Sequence, residues 1–395
     1  MKIFTNDSTR SLIFILLLFL LFSNNHANAA SARFMLITPG ARATGMGDAQ
    51  VALVDPMSGH FNAGSKGVFS LDHNYSYSYT SADWLPRFNL DDLYLNYSQL
   101  SAGWKLYEKQ PDNPLEISGG IEVTRRFLNL GKTERRGENN EDLGSFESWE
   151  NNYSYGVSIG FRYLAEVGIG YKLNYITSHL SEFSNIGNPE YDDEVNAKAY
   201  DWGILIRLPT NTVLKEGLHY DVSESIYPFL IDFIPSYGFS KSNLGGDEMY
   251  DDPLPEVHRS GYALEFRFDL PVVPLLGFIY AHDINRDRAD LRSKEWIETS
   301  GVGREITFFD SFIYRWGNYY DTWGRASRST TGFTFQSSGI LKIIHLSSQH
   351  QEWAKGELYD FVMTRMNFKY SRSLFHAGEG QPLTDTEWIE LGISF

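Results

Sequence analysis

The last stretch of the chain, Trp388-Ile389-Glu390-Leu391-Gly392-Ile393-Ser394-Phe395, decides the fold. Ile389, Leu391, Ile393 and the terminal Phe395 fall on one face, and Glu390, Gly392 and Ser394 on the other. A period of two is that of a strand, whose successive side chains point to opposite faces; a helix would group apolar residues every three or four positions. Upstream the same alternation recurs. Leu115, Ile117, Gly119, Ile121 and Val123 alternate with Glu116, Ser118, Gly120, Glu122 and Thr124. Tyr153 to Tyr163, Val167 to Tyr175 and Tyr262 to Leu270 repeat it, with aromatic and aliphatic residues on one face and small or charged ones on the other. Such segments match the lipid-out, polar-in staves of a transmembrane antiparallel β-barrel.

The N-terminus sets the compartment. Lys2 and Arg10 precede an unbroken apolar run from Leu12 to Phe22, and Ala27-Asn28-Ala29 follows with the small-x-small cleavage pattern. Residues 1–29 therefore read as a secretory signal peptide, with the mature chain starting near Ala30. The run is 11 residues long, and a spanning helix needs about 20. Later apolar stretches are interrupted, the longest (Leu270 to Ala281) by Pro271 and Pro274. An exported chain of this kind either stays soluble, as a secreted β-protein, or enters a membrane as a closed barrel; the alternating staves favour the barrel and predict residence in the outer membrane.

Composition agrees. Among 395 residues, 15% are aromatic and 34 are glycine, which argues against disorder. The mean hydropathy of −0.32 is that of a barrel with a polar lumen. The absence of cysteine excludes a disulfide framework, a thiolate metal site and a lipoprotein anchor. A net charge of −16 speaks against a nucleic-acid partner, since neutralising phosphates takes basic surface.

Turn signals and phase predict strands near 69–79, 90–107, 115–127, 152–163, 165–176, 198–208, 229–239, 259–270, 275–284, 304–316, 329–336, 340–347, 357–371 and 386–395, about fourteen in all. The second needs a change of phase near Ser98 to Ser101, read as a bulge. The seventh contains Pro235, which fits poorly inside a paired strand. Short connections (Lys109–Pro114, Leu164, Pro271–Pro274) alternate with long charged ones (Gly131–Asn151, Thr177–Ala197, Lys241–His258, Asp283–Gly303), as in outer-membrane barrels. Pro209–Pro228 is long where a short turn is expected, and Gln336–Ile340 is short where a long loop is expected.

Residues 30–68 do not alternate, and the barrel proper is assigned to 69–395. Within this N-terminal segment Pro39, Gly40, Ala41, Arg42, Gly45, Met46, Gly47, Ala49, Val51, Ala52, Asn62, Ala63 and Gly64 resemble the N-terminal signature of the PorV/PorQ family, a branch of the FadL-like outer-membrane barrels. His73, Trp84-Leu85, Asn243-Leu244-Gly245 and Leu254-Pro255 resemble further elements of that family. The resemblance implies a fourteen-stranded barrel whose N-terminal segment folds into the lumen as a hatch, with Pro39, Gly40, Arg42, Gly45, Gly47, Asp48, Asn62 and Gly64 as the hatch motif. Glycine there permits tight turns and close backbone approach. Asp48 to Val54 is expected to form a short helix, and Asp55 before Pro56 to cap another. Arg42 is expected among lumen carboxylates. One departure is local: the family pattern Asn-Pro-Ala-Gly stands here as Phe61-Asn62-Ala63-Gly64, which puts the hatch kink in question.

For function, the resemblance implies a part in type IX protein secretion and surface attachment, by binding exported proteins delivered from the translocon. The alternative is a FadL-like channel for hydrophobic solutes, which requires inward apolar residues. Ile389, Leu391, Ile393 and Phe395 resemble the signal read by the barrel assembly machinery. Outer-membrane lipid and lipopolysaccharide are the remaining expected partners. No Ser-His-Asp spacing, P-loop, HExxH or dinucleotide glycine pattern occurs, so neither an enzyme nor a cofactor or metal site is expected. His345 and His350 are a weak metal spacing. The runs Asp192-Asp193-Glu194 and Asp247-Glu248 with Asp251-Asp252 read as solvated loops, although such oxygens are of the kind calcium bridges. The tract from Arg286 to Arg292 reads as loop ion pairing, with lipopolysaccharide phosphate as the other reading.

Overall fold

In the computed structural model the described residues are 32–88, 92–110, 113–136, 140–180, 194–218, 230–245, 247–249, 252–270, 274–288, 296–321, 326–348, 351, 356–376 and 383–395. The expected signal peptide, Asp192-Asp193, Asp251 and His350 lie outside them.

Fourteen antiparallel strands close into one barrel. They are β1 (Tyr75–Asp83), β2 (Leu93–Tyr107), β3 (Glu116–Arg136), β4 (Asp142–Arg162), β5 (Glu166–His179), β6 (Val195–Arg207), β7 (Leu230–Leu244), β8 (Val257–Asp269), β9 (Pro274–Asp287), β10 (Ile297–Phe308), β11 (Phe312–Asp321), β12 (Ala326–Gln336), β13 (Asn367–His376) and β14 (Thr386–Ser394). Each strand pairs with its sequence neighbours, and β14 pairs with β1. At the seam Ile389, Leu391 and Ile393 stand opposite Ser81, Tyr79 and Tyr77. Closure leaves no edge with unpaired N–H and C=O groups, which hydrocarbon does not tolerate.

The alternation sorts as read. Tyr77, Tyr155, Val157, Tyr314, Phe335, Tyr370 and Leu391 face outward and exposed, while Ser78, Thr80, Glu122, Ser154, Lys172, Ser371 and Glu390 are buried inward. This is the inverse of a water-soluble sheet, and a cation moved onto the outer face at mid-bilayer would cost about 2–4 kcal/mol.

Several strand expectations need correction. The stretch 304–316 is a hairpin, not one strand: Phe309 and Asp310 take positive φ (52° and 48°), and Ser311 N–H donates to Phe308 C=O at 3.0 Å. Asp310, which interrupts the alternation, is the turn. Residues 340–347 are helical, within α3 (Ser338–Ser348), and 357–371 is helix α4 (Glu357–Arg365) followed by β13. One missed strand and one surplus strand cancel, so the count stands while two assignments do not. The first strand starts at Tyr75, because Ser65–Phe69 is a helix (α2).

Near Ser98 to Ser101 there is no bulge. Leu93, Leu95, Tyr97, Gln99 and Ser101 are all buried on the inner face, and the register slips only between Lys105 and Tyr107. The apparent change of phase is a change of polarity along one inward face. Pro235 lies inside β7, opposite Leu264 of β8. On its other side β6 pairing ends at Arg207↔Ser236, so the missing N–H falls beyond the end of β6.

The barrel's two termini share one rim. On that rim lie the C-terminal ends of β2, β4, β6, β8, β10 and β12, residues 208–218 after β6, and α3 and α4 between β12 and β13. On the opposite rim β3 and β4, each 21 residues long, run on as a hairpin arm with Gly131 at positive φ (81°), where a long loop was expected.

Candidate functional site

The lumen is filled by the chain's own N-terminal segment. A single-turn 3-10 helix, Arg33–Leu36, leads to helix α1 (Ala41–Gly45), a 3-10 turn at Ser58–His60 and α2. Expected helix 48–54 is absent. Instead Asp48 takes φ 66° and the chain runs on in turns. The Asp55 carboxylate accepts the Met57 N–H at 2.6 Å, an Asx turn across Pro56, while the 3-10 turn Ser58–His60 begins at Met57 without a side-chain cap.

The segment coils around the inner wall against the strand order, and wall glycines mark its track. A Cβ on Gly317 or Gly301 would collide with the main chain at Met46–Gly47, one on Gly238 with Val51, one on Gly170 or Gly168 with Ala63–Gly64, and one on Gly160 with Gly67. On the hatch side, a Cβ on Gly47 would come within 2.7 Å of Asn318 main chain, and its φ of 63° also disfavours any other residue. Gly45 packs on Gly332. The motif glycines and the small residues of the staves are therefore two sides of one backbone-to-backbone fit.

Hydrogen bonds lock this fit. Wall hydroxyls donate to hatch carbonyls: Ser240 to Phe61 (2.6 Å), Ser236 to Ala52 (2.9 Å), Ser118 to Gly67 (2.8 Å) and Thr330 to Gly45 (3.2 Å). Wall carboxylates accept hatch N–H groups: Asp283 from Gln50 and Val51 (2.6 and 2.7 Å), and Glu390 from Ala41 (2.9 Å). Glu390 is also paired with Lys369 at 2.7 Å. Arg42 sits among lumen carboxylates as expected, with two bonds of 3.0 Å to Glu305 and one of 3.1 Å to Asp55. Arg315 meets Glu305 from the other side. A buried ion network of this kind is worth little against an apolar replacement, but removing one partner leaves a stranded charge.

The departure at Asn62-Ala63 is compensated locally. Asn62 Nδ2 donates to Val51 and Ile204 carbonyls (both 2.9 Å), and Oδ1 accepts the Gly64 N–H at 3.0 Å. The Oδ1 bond is an Asx turn, which bends the chain at Asn62.

Hatch titrations follow from burial. Asp55 would be raised by burial, but the Arg42 guanidinium beside it holds it at about 2. Asp48 has weaker partners, and burial pushes it up to about 6. Lys66 is pushed down to about 8 by burial despite Glu122 and Asp55. His60 is held well below its ordinary value by burial and by Arg126, Lys172 and Arg259, so it is neutral.

At the rim away from the termini the segment divides the lumen mouth. Phe34 and Met35 are buried in an apolar cluster with Leu95, Leu128, Ile176, Ala199 and Leu254, and Arg126 holds their carbonyls at 3.1 and 2.7 Å. Arg33, Leu36 and Thr38 face the other way, into a cavity of about 230 Å³ lined by Asp48, His60, Arg259, Asp287, Tyr319 and Asp321. Phe34, Met35 and the wall carboxylates were not singled out from sequence. The apolar inward run Leu93, Leu95, Tyr97 was the available signal for the cluster.

Of the motif residues, Arg42, Gly45, Gly47, Asn62 and Gly64 hold the hatch to the wall, Gly40 (φ 96°) opens α1, Pro39 is buried beside it, and Asp48 borders the cavity. Among the described residues no group of three or more His, Asp or Glu is placed to hold a metal ion. Arg286 pairs with Glu298 at 3.0 Å, and Arg288 lies over the Trp296 ring at 4.6 Å. Asp247 accepts the Lys198 N–H at 2.7 Å.

No protein-family model matches the chain, and no curated protein matches it in sequence. Among solved structures, the toluene transporter TbuX of Ralstonia pickettii is 10% identical, with 90% of this chain and 97% of that chain covered and a TM-score of 0.41. The toluene transporter TodX of Pseudomonas putida is 10% identical over 93% and 99%, with a TM-score of 0.43. A FadL homologue of Pseudomonas aeruginosa is 9% identical over 93% and 99%, with a TM-score of 0.36. The fold itself rests on the hydrogen-bonded strand order.

Proposed function

We propose that the protein is an outer-membrane channel for small hydrophobic solutes, closed at rest by its own N-terminal segment. The observation that carries this reading is the inward apolar cluster at the outer mouth, occupied by Phe34 and Met35. A lumen of polar staves has no need of such a patch, whereas a site that strips water from an apolar solute does. Phe34 and Met35 fill it as a solute would, and leave it only with the segment that bears them.

The resemblance of residues 39–64 to the PorV/PorQ signature is what favours a role in type IX secretion. Those residues are accounted for by closure: Arg42, Gly47, Asn62 and Gly64 are all engaged with the wall. In the same reading Ile389, Leu391, Ile393 and Phe395 form the seam strand presented to the barrel assembly machinery, and lipid or lipopolysaccharide meets the aromatic outer face.

A gene deletion separates the two roles. The channel reading expects slower uptake of an aromatic hydrocarbon and unchanged export of proteins bearing the type IX signal. Unchanged uptake with lost export would reverse the assignment.

A further inference from the structure

The α3–α4 hairpin on the termini rim is built inside out. Its seam is polar: the Ser348 and Tyr359 hydroxyls share a short hydrogen bond, the His345 and Tyr359 rings lie 5.7 Å apart, and His345 Nδ1 is 4.0 Å from Asp360. The apolar residues point away from the seam. Ile340, Ile343 and Ile344, at the spacing of one helical face, are exposed, as are Leu358 (76%) and Phe361. Left in water, this arrangement would expose a continuous apolar stripe, which monomeric proteins avoid.

The stripe continues the barrel's lipid-facing belt. Gly339 is pressed against the Phe309 carbonyl, leaving no room for a side chain. The Ser338 hydroxyl bonds the Asp310 carboxylate at 2.8 Å, and Lys342 reaches the same carboxylate at 3.4 Å. These contacts fix α3 beside the turn that carries exposed Phe309 and Phe312. At the other end the Phe361 ring lies 5.5 Å from that of Phe395, at the seam, and exposed Phe368 begins the next strand. The apolar surface thus runs from belt to helix to belt.

We infer that the hairpin lies in the membrane interface of the leaflet on the termini rim, with Ile340, Ile343, Ile344, Leu358 and Phe361 among the acyl chains. Interfacial amphipathic helices seat their apolar face some 5–10 Å deep in this way. Arg365, in the last turn of α4, is placed to reach the headgroups. The hairpin broadens the barrel's grip on one leaflet.

The chain has no cysteine, so single-site spin labels report cleanly. The full barrel is reconstituted in phospholipid bilayers with a label at Ile343→Cys, Ile344→Cys or Leu358→Cys. Phe335→Cys on the belt and Gln110→Cys on an exposed turn serve as controls, and heat-modifiable gel mobility certifies each fold. Labels on the hairpin are expected to be accessible to oxygen and shielded from a nickel chelate, like that at Phe335. Their oxygen-to-nickel ratio should be several-fold above that at Gln110. Nickel accessibility equal to that at Gln110 would overturn the inference and leave the stripe for a soluble partner. Shielding from both reagents would overturn it too, by placing the hairpin against protein.

Discussion

The body of the hatch and its N-terminal tip are held by different physics. From Ala41 to Phe69 the main chain lies on wall glycines too closely for any added Cβ at several points, and Glu305, Asp283 and Glu390 clamp it. From Ala32 to Ile37 the hold is mostly burial of Phe34 and Met35, plus two bonds from one arginine. Backbone fit and buried charge fail together or not at all, whereas apolar side chains leave a pocket one at a time. On the channel reading proposed above, the body is the fixture and the tip the part that yields to a solute.

The largest expected effect comes from breaking the fixture's ion network. Glu305→Ala strands Arg315 in the lumen and leaves Arg42 with Asp55 as its carboxylate partner, and should cost about 3–5 kcal/mol, read as a lowered urea midpoint in detergent micelles. A change confined to the tip's mobility would contradict the fixture assignment. Next, Gly170→Val drives a side chain into the Ala63–Gly64 main chain. Overpacking of this kind costs about 1–3 kcal/mol, and a raised ion conductance of the reconstituted barrel would show that the body has been lifted from the wall. An inward glycine off the hatch track such as Gly277, whose added Cβ would meet only the Thr307 side chain, is the control and should tolerate alanine.

The smallest effect is set by pH and falls where body and tip meet. Asp48, raised by burial to about 6, ionises as pH rises through that value. A carboxyl whose folded pKa lies above its unfolded one contributes stability that is complete below the unfolded value and lost as pH climbs past the folded one. Hatch stability should therefore decline from about pH 4 to about pH 6, and Asp48→Asn should remove that part of the slope. An identical slope in the variant would show that Asp48 is not the group responsible.

Much of the barrel was legible because lipid and lumen impose a strict period of two. β5, β8 and β14 read directly from it. It failed where two periods coincide: Ile340, Ile343 and Ile344 satisfy a helix, yet their neighbours Leu341 and Leu346 blur the stripe enough to pass for a short strand. It failed again where a turn carries apolar residues, since Phe308, Phe309 and Phe312 hide the hairpin that Asp310 makes. The Arg42 environment was foreseeable from charge alone. The path of the hatch was not. Gly160, Gly168 and Gly170 look like generic small inward residues until the backbone that needs them lies alongside. Likewise Leu93, Leu95 and Tyr97 looked like a slipped register because nothing in the strand itself announces an apolar patch inside a polar lumen.

The distinction between fixture and moving tip is tested most directly by hydrophobic-solute flux through the reconstituted barrel, comparing the natural chain with Phe34→Ala/Met35→Ala. Truncating these two side chains removes about 1.5–3 kcal/mol of burial each from the mouth and leaves the glycine track and the Glu305 clamp intact. The account predicts faster entry of an aromatic hydrocarbon, with ion conductance close to that of the natural chain. Flux unchanged by the double substitution, or flux that rises only when the hatch body is unlatched by Glu305→Ala, would contradict it.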